Sequence, residues 1–274
     1  MHYYFVQYGL DILYILFNYY KMNKEYEWND NKKEIVLSVG MPLYKSEKIV
    51  LLALEGLRLQ KDIDFGWELI IIEEFGNSLE LIKKFIGKLP NCQRVYYLKL
   101  NNRKNIPLST KWIMISKKTS DTSNIFVMQD SDDFSPNRRL YIHKEHFKNK
   151  DCVLSSFTKG IFYNIHTKQV MIYNYRNKRS YNLLHAVRPS YIKNIKDPKV
   201  YRLIFSNFFL KIKPENIYKD STIDKDNWKT GLFTDGYNTV SVSRRRLYNN
   251  PSNGFIRCNK KVLLNYPKYL FNFI

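Results

Sequence analysis

Apolar positions in this chain fall into short unbroken runs separated by longer stretches in which they recur at helical spacing. The run "IVLSVGMP", 35–42, is rich in β-formers and ends at Gly40 and Pro42, which predicts a buried strand and a turn. Residues 46–60, "SEKIVLLALEGLRLQ", begin with a capping residue and repeat apolar side chains with a helical period. A second apolar run, "WELIIIEE", 67–74, predicts a strand ending in acids; 77–89 predicts a helix, 93–100 a third strand, 107–120 a helix and 124–129 a fourth strand. Unbroken apolar strands alternating with amphipathic helices imply a parallel sheet covered on both faces. In such sheets ligands bind beyond the carboxyl ends of the strands, at a switch point in strand order.

After residue 133 the pattern changes. Residues 138–149 read as a helix, whose His143 and His146 stand at metal-capable spacing but on what reads as a surface face. Residues 152–174 alternate like antiparallel strands around a turn at 166–168. Residues 198–209 fit helix or strand, and 227–248 mix turn signals with a short helical stretch. The expected organisation is an apolar helix and polar linker over 1–30, one α/β domain over 31–250 with a first half, 31–140, and a second half, 141–250, and a tail over 251–274.

The fourth strand ends in "QDSDDFSPNRR", placing Asp130, Asp132 and Asp133 together at the end of a buried run. Carboxylates this close repel one another and are stable together when a cation neutralises them. All-oxygen ligation suits Mg²⁺ or Mn²⁺ shared with a substrate diphosphate. A solvated Asp-rich loop is the bland alternative; the apolar strand and the α/β half before it argue against that. A D-x-D phosphatase is disfavoured, because its motif belongs on the first strand.

The ordered set "VGMPLYK", "LLALEGLRLQ", "WELIIIEEFGNS" and "VMQDSDD" resembles family 2 glycosyltransferases with a GT-A fold, over about residues 35–140 and only weakly over 150–250. The resemblance implies a GT-A-type nucleotide-binding sheet flanked by helices, with an appended acceptor-side antiparallel region. It implies an enzyme of the hexosyltransferase class, metal-dependent and inverting, that moves a sugar from a nucleoside-diphosphate sugar to an acceptor hydroxyl. Uracil is the implied base, as the family's commonest donor class. Residue by residue, Pro42 and Tyr44 would pack on the base and ribose. Glu74 would contact base or ribose, although Glu73–Glu74 replaces the usual Asp pair. Asp130 would touch the ribose or sugar beside the metal, Asp132 would hold Mn²⁺ or Mg²⁺, and Asp133 would hold the loop or a sugar hydroxyl. Lys111 is a candidate for donor phosphate or sugar, or else a surface lysine on an amphipathic helix. Arg244, in "SRRR", would lie over the diphosphate, and His185, in a mobile "HAVRP" loop, would complete the metal shell.

Sugar transfer with inversion needs a carboxylate to take the acceptor's proton. The family places it some hundred residues after the D-x-D, where "GLFTDGYNT" carries Asp235; Thr234 replaces the usual Glu, and a D-G turn is the competing reading. Asp224 and Asp226 are the alternatives.

The chain has 274 residues with 44% hydrophobic, enough for a core, and a net charge of +20 with a pI near 9.6. That charge fits a polyanionic partner such as nucleic acid, or an AT-rich coding bias that spreads Lys over every segment. Two further function classes stay open on it: a non-catalytic nucleic-acid-binding protein, and a glycosyltransferase acting on modified DNA in a virus. The acceptor is a glycan, a protein or DNA. Three scattered cysteines give neither a zinc motif nor a disulfide framework, and the start lacks a leader pattern, which together predict the cytoplasm, or the host's if the chain is viral. The apolar stretch 8–21 is too short to span a bilayer; it reads as a helix on the domain's own core, with peripheral membrane contact as the second placement.

Overall fold

A computed structural model describes residues 24–45, 49–101, 106–157, 159–164, 170–174, 185–193, 214–220, 231–235 and 255–257. The stretch 8–21, Arg244, Asp224 and Asp226 lie outside the described residues.

The first half folds as its periodicity predicts. Strand β2 (Ile35–Tyr44) is followed by helix α1 (Val50–Arg58), β3 (Gly66–Glu74), the short α2 (Leu79–Lys83), β4 (Cys92–Leu100), α3 (Leu108–Ser116) and β5 (Ile125–Met128). β2, β3, β4 and β5 are mutually parallel. All nine residues of β3 are buried, because both faces of the sheet are covered. Leu69, Ile71 and Glu73 point to the face packed by α1 and α2, while Ile70, Ile72 and Glu74 point to the face of α3. Each fully buried Leu or Ile contributes about 1.5–3 kcal/mol, so this two-sided burial holds helices too short to persist alone. Gly40 makes close packing of α3 possible: a Cβ there would meet Ile115 and Phe126 at 2.7 Å.

Several expectations are corrected. The polar stretch at 24–29 is not a linker but edge strand β1 (Lys24–Asn29), antiparallel to β4. Its charges face outward while Tyr26 and Trp28 alternate inward onto the core. The helix expected over 77–89 stops at Lys83 and continues as tight turns to Gly87, whose φ is 80°. "HAVRP" is not a loop: it forms β10 (Ala186–Val187) and the start of α5 (Pro189–Lys193). β10 is antiparallel to both β5 and β7 (Leu154–Phe157), so this two-residue strand lies inside the main sheet. The face of α4 (Arg139–Phe147) carrying His143 is not exposed; His143 is fully buried. The expected C-terminal tail contributes β13 (Phe255–Arg257) to a second sheet.

Among the described residues the main sheet has the order β1-β4-β3-β2-β5-β10-β7-β11, where β11 is Ile217–Asp220. The second sheet has the order β13-β9-β8-β12-β6, built from β6 (Asp133–Phe134), β8 (Lys159–Asn164), β9 (Val170–Asn174) and β12 (Gly231–Asp235). The antiparallel β8–β9 pair agrees with the alternation read at 152–174. Chain order runs outward from β2 to β3 and β4, then returns to β5 on the other side of β2. That reversal is the switch point, and the acidic turn lies at its carboxyl end, between β5 and β6.

Candidate donor-binding and catalytic site

Two strand ends build one wall of the site. Gly40 O accepts the Gln129 N–H at 2.9 Å. The next rung of this parallel ladder would be donated by residue 42, and Pro42 has no N–H to give. The β2–β5 ladder therefore ends there, releasing the chain after Gln129 into the acidic turn while β2 continues to Tyr44. Tyr44 pairs with Glu74 across the β2–β3 ladder. Both strands leave the sheet through residues with positive φ, Lys45 at 51° and Phe75 at 55°. Non-glycine residues held in this region concentrate at binding sites.

Tyr44, Glu74 and Lys111, singled out separately in the sequence, meet here. Lys111 is buried, not a surface lysine, and its Nζ lies 2.5 Å from Glu74 Oε2 and 5.0 Å from the centre of the Tyr44 ring. Glu74 Oε1 accepts the Ile106 N–H at 2.7 Å. Both Glu74 oxygens are thus engaged by the protein, Oε1 by the Ile106 N–H and Oε2 by Lys111. Glu73 is likewise committed, accepting from Ser78 N–H at 2.9 Å, from Ser78 Oγ at 2.6 Å and from the Tyr97 hydroxyl. What remains open at this edge is aromatic: Tyr44 and Phe75 meet edge to face at 5.8 Å, with 42% and 40% of their surface exposed. Lys45 Nζ stands 5.4 Å from the Tyr44 ring. An exposed aromatic edge flanked by cations can stack a base and attract phosphate. Replacing Lys111 with Met should cost about 3–5 kcal/mol of stability, since it leaves the buried Glu74 carboxylate without its cation. Urea unfolding checks this.

The other wall is the acidic turn. Asp130 and Asp132 are half-buried and Asp133 is buried. The turn is held by its backbone: Asp133 N–H bonds to Asp130 O at 3.3 Å, and the buried Gln129 amide donates to Asp130 O and Asp133 O, both at 2.7 Å. Gln129 Oε1 in turn accepts from Ser135 Oγ and Arg139 Nη1, each at 2.5 Å. Arg139 also donates to Met128 O and lies fully buried beneath the turn. Burial draws its pKa down to about 9, with Asp130 and Asp133 pulling the other way, so it stays charged at neutral pH. This buried cation offsets part of the like charge gathered at the end of the buried strand. From the far side, Gln60 Nε2 donates to Pro136 O at 2.7 Å, and its Oε1 accepts from Leu140 N at 3.0 Å. Helix α1 approaches so closely that a Cβ on Gly56 would meet Ser135 N at 2.5 Å.

Sequence reading missed Gln129, Arg139 and Ser135. Their signal was a polar residue ending an apolar run and a second arginine after "SPN", both of which also suit an exposed loop.

The turn leads directly into β6, and β12 pairs with it antiparallel, Phe233 opposite Asp133. Asp235 follows Phe233 by two residues along β12. Asp235 is the last residue of a strand here, in register with Asn164 of β8, rather than part of a helical or turn segment. His185 is buried opposite Met128, whose N–H donates to His185 O at 3.0 Å. Among the described residues no three His, Cys, Asp or Glu side chains gather as a metal cage, so Asp130, Asp132 and His185 do not form one. A resident structural metal does not fit such a set. A hard cation that keeps waters and shares substrate phosphates does, since one or two carboxylates suffice. A cavity of about 440 Å³ lined by Trp28, Lys32, Lys33, Lys88 and Gln93 lies at the opposite, amino-terminal end of the strands. Its Lys32 pairs with Asp30 and its Lys33 Nζ with Asp64 O. Among the described residues no helix is long and apolar enough to cross a membrane.

No family model matches this sequence, and no curated protein matches it. Solved structures do. TarS of S. aureus superposes with a TM-score of 0.52 at 16% identity, over 73% of this chain and 37% of that one. TarS 1–349 in complex with UDP-GlcNAc gives 0.53 at 16%, over 76% of this chain and 61% of that one. The mannosyltransferase PcManGT of Pyrobaculum calidifontis, in complex with GDP-Man and Mn²⁺, gives 0.50 at 12%, over 88% of this chain and 69% of that one. The chain thus spans less than two thirds of either TarS molecule. It has the mixed α/β fold of these glycosyltransferases, of GT-A type.

Proposed function

We propose that this chain is a metal-dependent, inverting glycosyltransferase of the hexosyltransferase class, with a UDP-sugar as donor. The observation that carries this reading is the acidic turn at the switch point, held by Gln129 and Arg139, at the same carboxyl edge of the sheet as the exposed Tyr44–Phe75 pair. The fold's neighbours, solved with UDP-GlcNAc and with GDP-Man and Mn²⁺, support it.

The base stacks at Tyr44, and the diphosphate extends toward the acidic turn. Asp132, with Asp130 beside it, would hold Mn²⁺ or Mg²⁺, and the ion would supply Lewis-acid stabilisation of the leaving diphosphate. Asp235, at the end of β12, accepts the proton of the acceptor hydroxyl. The hydroxyl oxygen bonds to the anomeric carbon as the bond from that carbon to the diphosphate oxygen breaks, releasing the nucleoside diphosphate. The second sheet forms the acceptor side, and glycan, protein and DNA remain its candidate acceptors. The charge of +20 fits either a polyanionic acceptor or a coding bias that spreads Lys over every segment, and so does not choose among them.

A thermal-shift panel of UDP, GDP, UDP-sugars and GDP-mannose, with and without Mn²⁺, tests the reading. Saturation at about a hundredfold over the dissociation constant stabilises the fold by about 2.7 kcal/mol. We expect a clear shift with UDP compounds and Mn²⁺ together. No shift with any nucleotide, with or without metal, would overturn the proposal.

A further inference from the structure

A line of buried polar groups runs from the acidic turn through α4 to β7, and the direction of each hydrogen bond can be assigned. A guanidinium only donates. Arg139 Nε approaches His143 Nε2 at 3.3 Å, so that nitrogen is the acceptor and the ring's proton sits on Nδ1. Nδ1 therefore donates to Ser155 Oγ at 2.7 Å. The Ser155 hydroxyl then gives its own proton to His146 Nδ1, also at 2.7 Å. In the other direction, Arg139 Nη1 donates to Gln129 Oε1 and to Ser135 Oγ, and the Gln129 amide spends both protons on the carbonyls of Asp130 and Asp133. Ser155, His143, Arg139 and Gln129 are all fully buried. Water therefore cannot replace a lost member, and each orientation depends on the next.

We propose that His143 is a positioning residue for donor binding. By accepting from Arg139 Nε it selects one orientation of the guanidinium, which sets Gln129, which spaces the carbonyls of Asp130 and Asp133. The acidic turn is thereby shaped before a ligand arrives. The line also ties the turn to the second half of the chain, because Ser155 stands opposite Ala186 of β10 and Tyr218 of β11. The relevance to donor binding rests on the function proposed above; the shaping of the turn does not.

The test uses the full chain with His143→Phe and His143→Gln. Phenylalanine keeps a ring against Phe157, whose centre lies 5.5 Å from that of His143, but neither accepts from Arg139 nor donates to Ser155. Glutamine can do both. Hydrogen exchange of the backbone amides at 129–135, measured without ligand, is the first readout; the Asp133 N–H, bonded to Asp130 O, is the reporter. His143→Phe should speed exchange there by about tenfold or more, the scale of one lost hydrogen bond to a charged group. Amides of β2, β3 and β4 should keep wild-type protection, and His143→Gln should restore most of the protection in the turn. Calorimetry with UDP and Mn²⁺ should show a dissociation constant about tenfold weaker in His143→Phe and near wild type in His143→Gln. If His143→Phe does not fold, Ser155→Ala carries the same test, with faster exchange confined to the turn. Wild-type exchange in the turn, or an equal rise in turn and sheet that Gln does not rescue, would overturn the proposal. If wild-type protein binds no nucleotide at all, the donor reading fails, while the exchange data still decide whether His143 shapes the turn.

Discussion

Asp132→Ala is expected to yield a folded protein whose affinity for UDP no longer rises when Mn²⁺ is added. The backbone of the acidic turn is held by the Gln129 amide through Asp130 O and Asp133 O, so the turn keeps its path when the Asp132 carboxylate is removed. What is lost is one of two half-buried carboxylates at the switch point, which under the proposed function would hold the cation. Sugar transfer should fall by roughly 10³-fold, as expected when several kcal/mol of leaving-group stabilisation disappear. Calorimetry with and without Mn²⁺, alongside a release assay for UDP, measures both effects. A metal enhancement of the same size in the variant would remove Asp132 from the site.

Asp235→Asn should separate binding from chemistry. The substitution keeps shape and hydrogen-bonding capacity but cannot take a proton from the acceptor. Transfer should drop by roughly 10²–10⁴-fold, the scale of a lost general base, while the dissociation constant for UDP with Mn²⁺ stays at the wild-type value. The choice rests on Asp235 ending β12, the strand that pairs antiparallel with β6 where β6 leaves the acidic turn. Turnover close to wild type in Asp235→Asn would move the base elsewhere, with Asp224 and Asp226 next to be replaced.

How much of this was legible beforehand follows from the kind of signal each feature leaves. The first half was readable because a parallel sheet buried on both faces writes itself as unbroken apolar runs, as in β3. Features that depend on a partner elsewhere in the chain were not. Strand β1 looked like a linker because an edge strand buries only alternate residues, here Tyr26 and Trp28. "HAVRP" looked like a loop because two strand residues are too few for any period, and β10 exists only where β5 and β7 leave a gap of one strand. His143 looked exposed because α4 has a largely polar sequence, and its burial follows from Arg139 and Ser155 satisfying both ring nitrogens.

The sequence by itself determined the order of strands and helices in the first half, the position of the acids at a strand end, and the candidate residues at each rim. It could do so because periodicity and turn chemistry are local. Only the tertiary structure decided which polar groups are spoken for. Glu73 and Glu74 are consumed by Ser78, Tyr97, Ile106 and Lys111, whereas Arg139 and Gln129 support the acidic turn from beneath. The physical reason is burial: a carboxylate or guanidinium taken out of water must find its partner within the protein, and that partner is set by packing across the sheet, not by its neighbours in the chain.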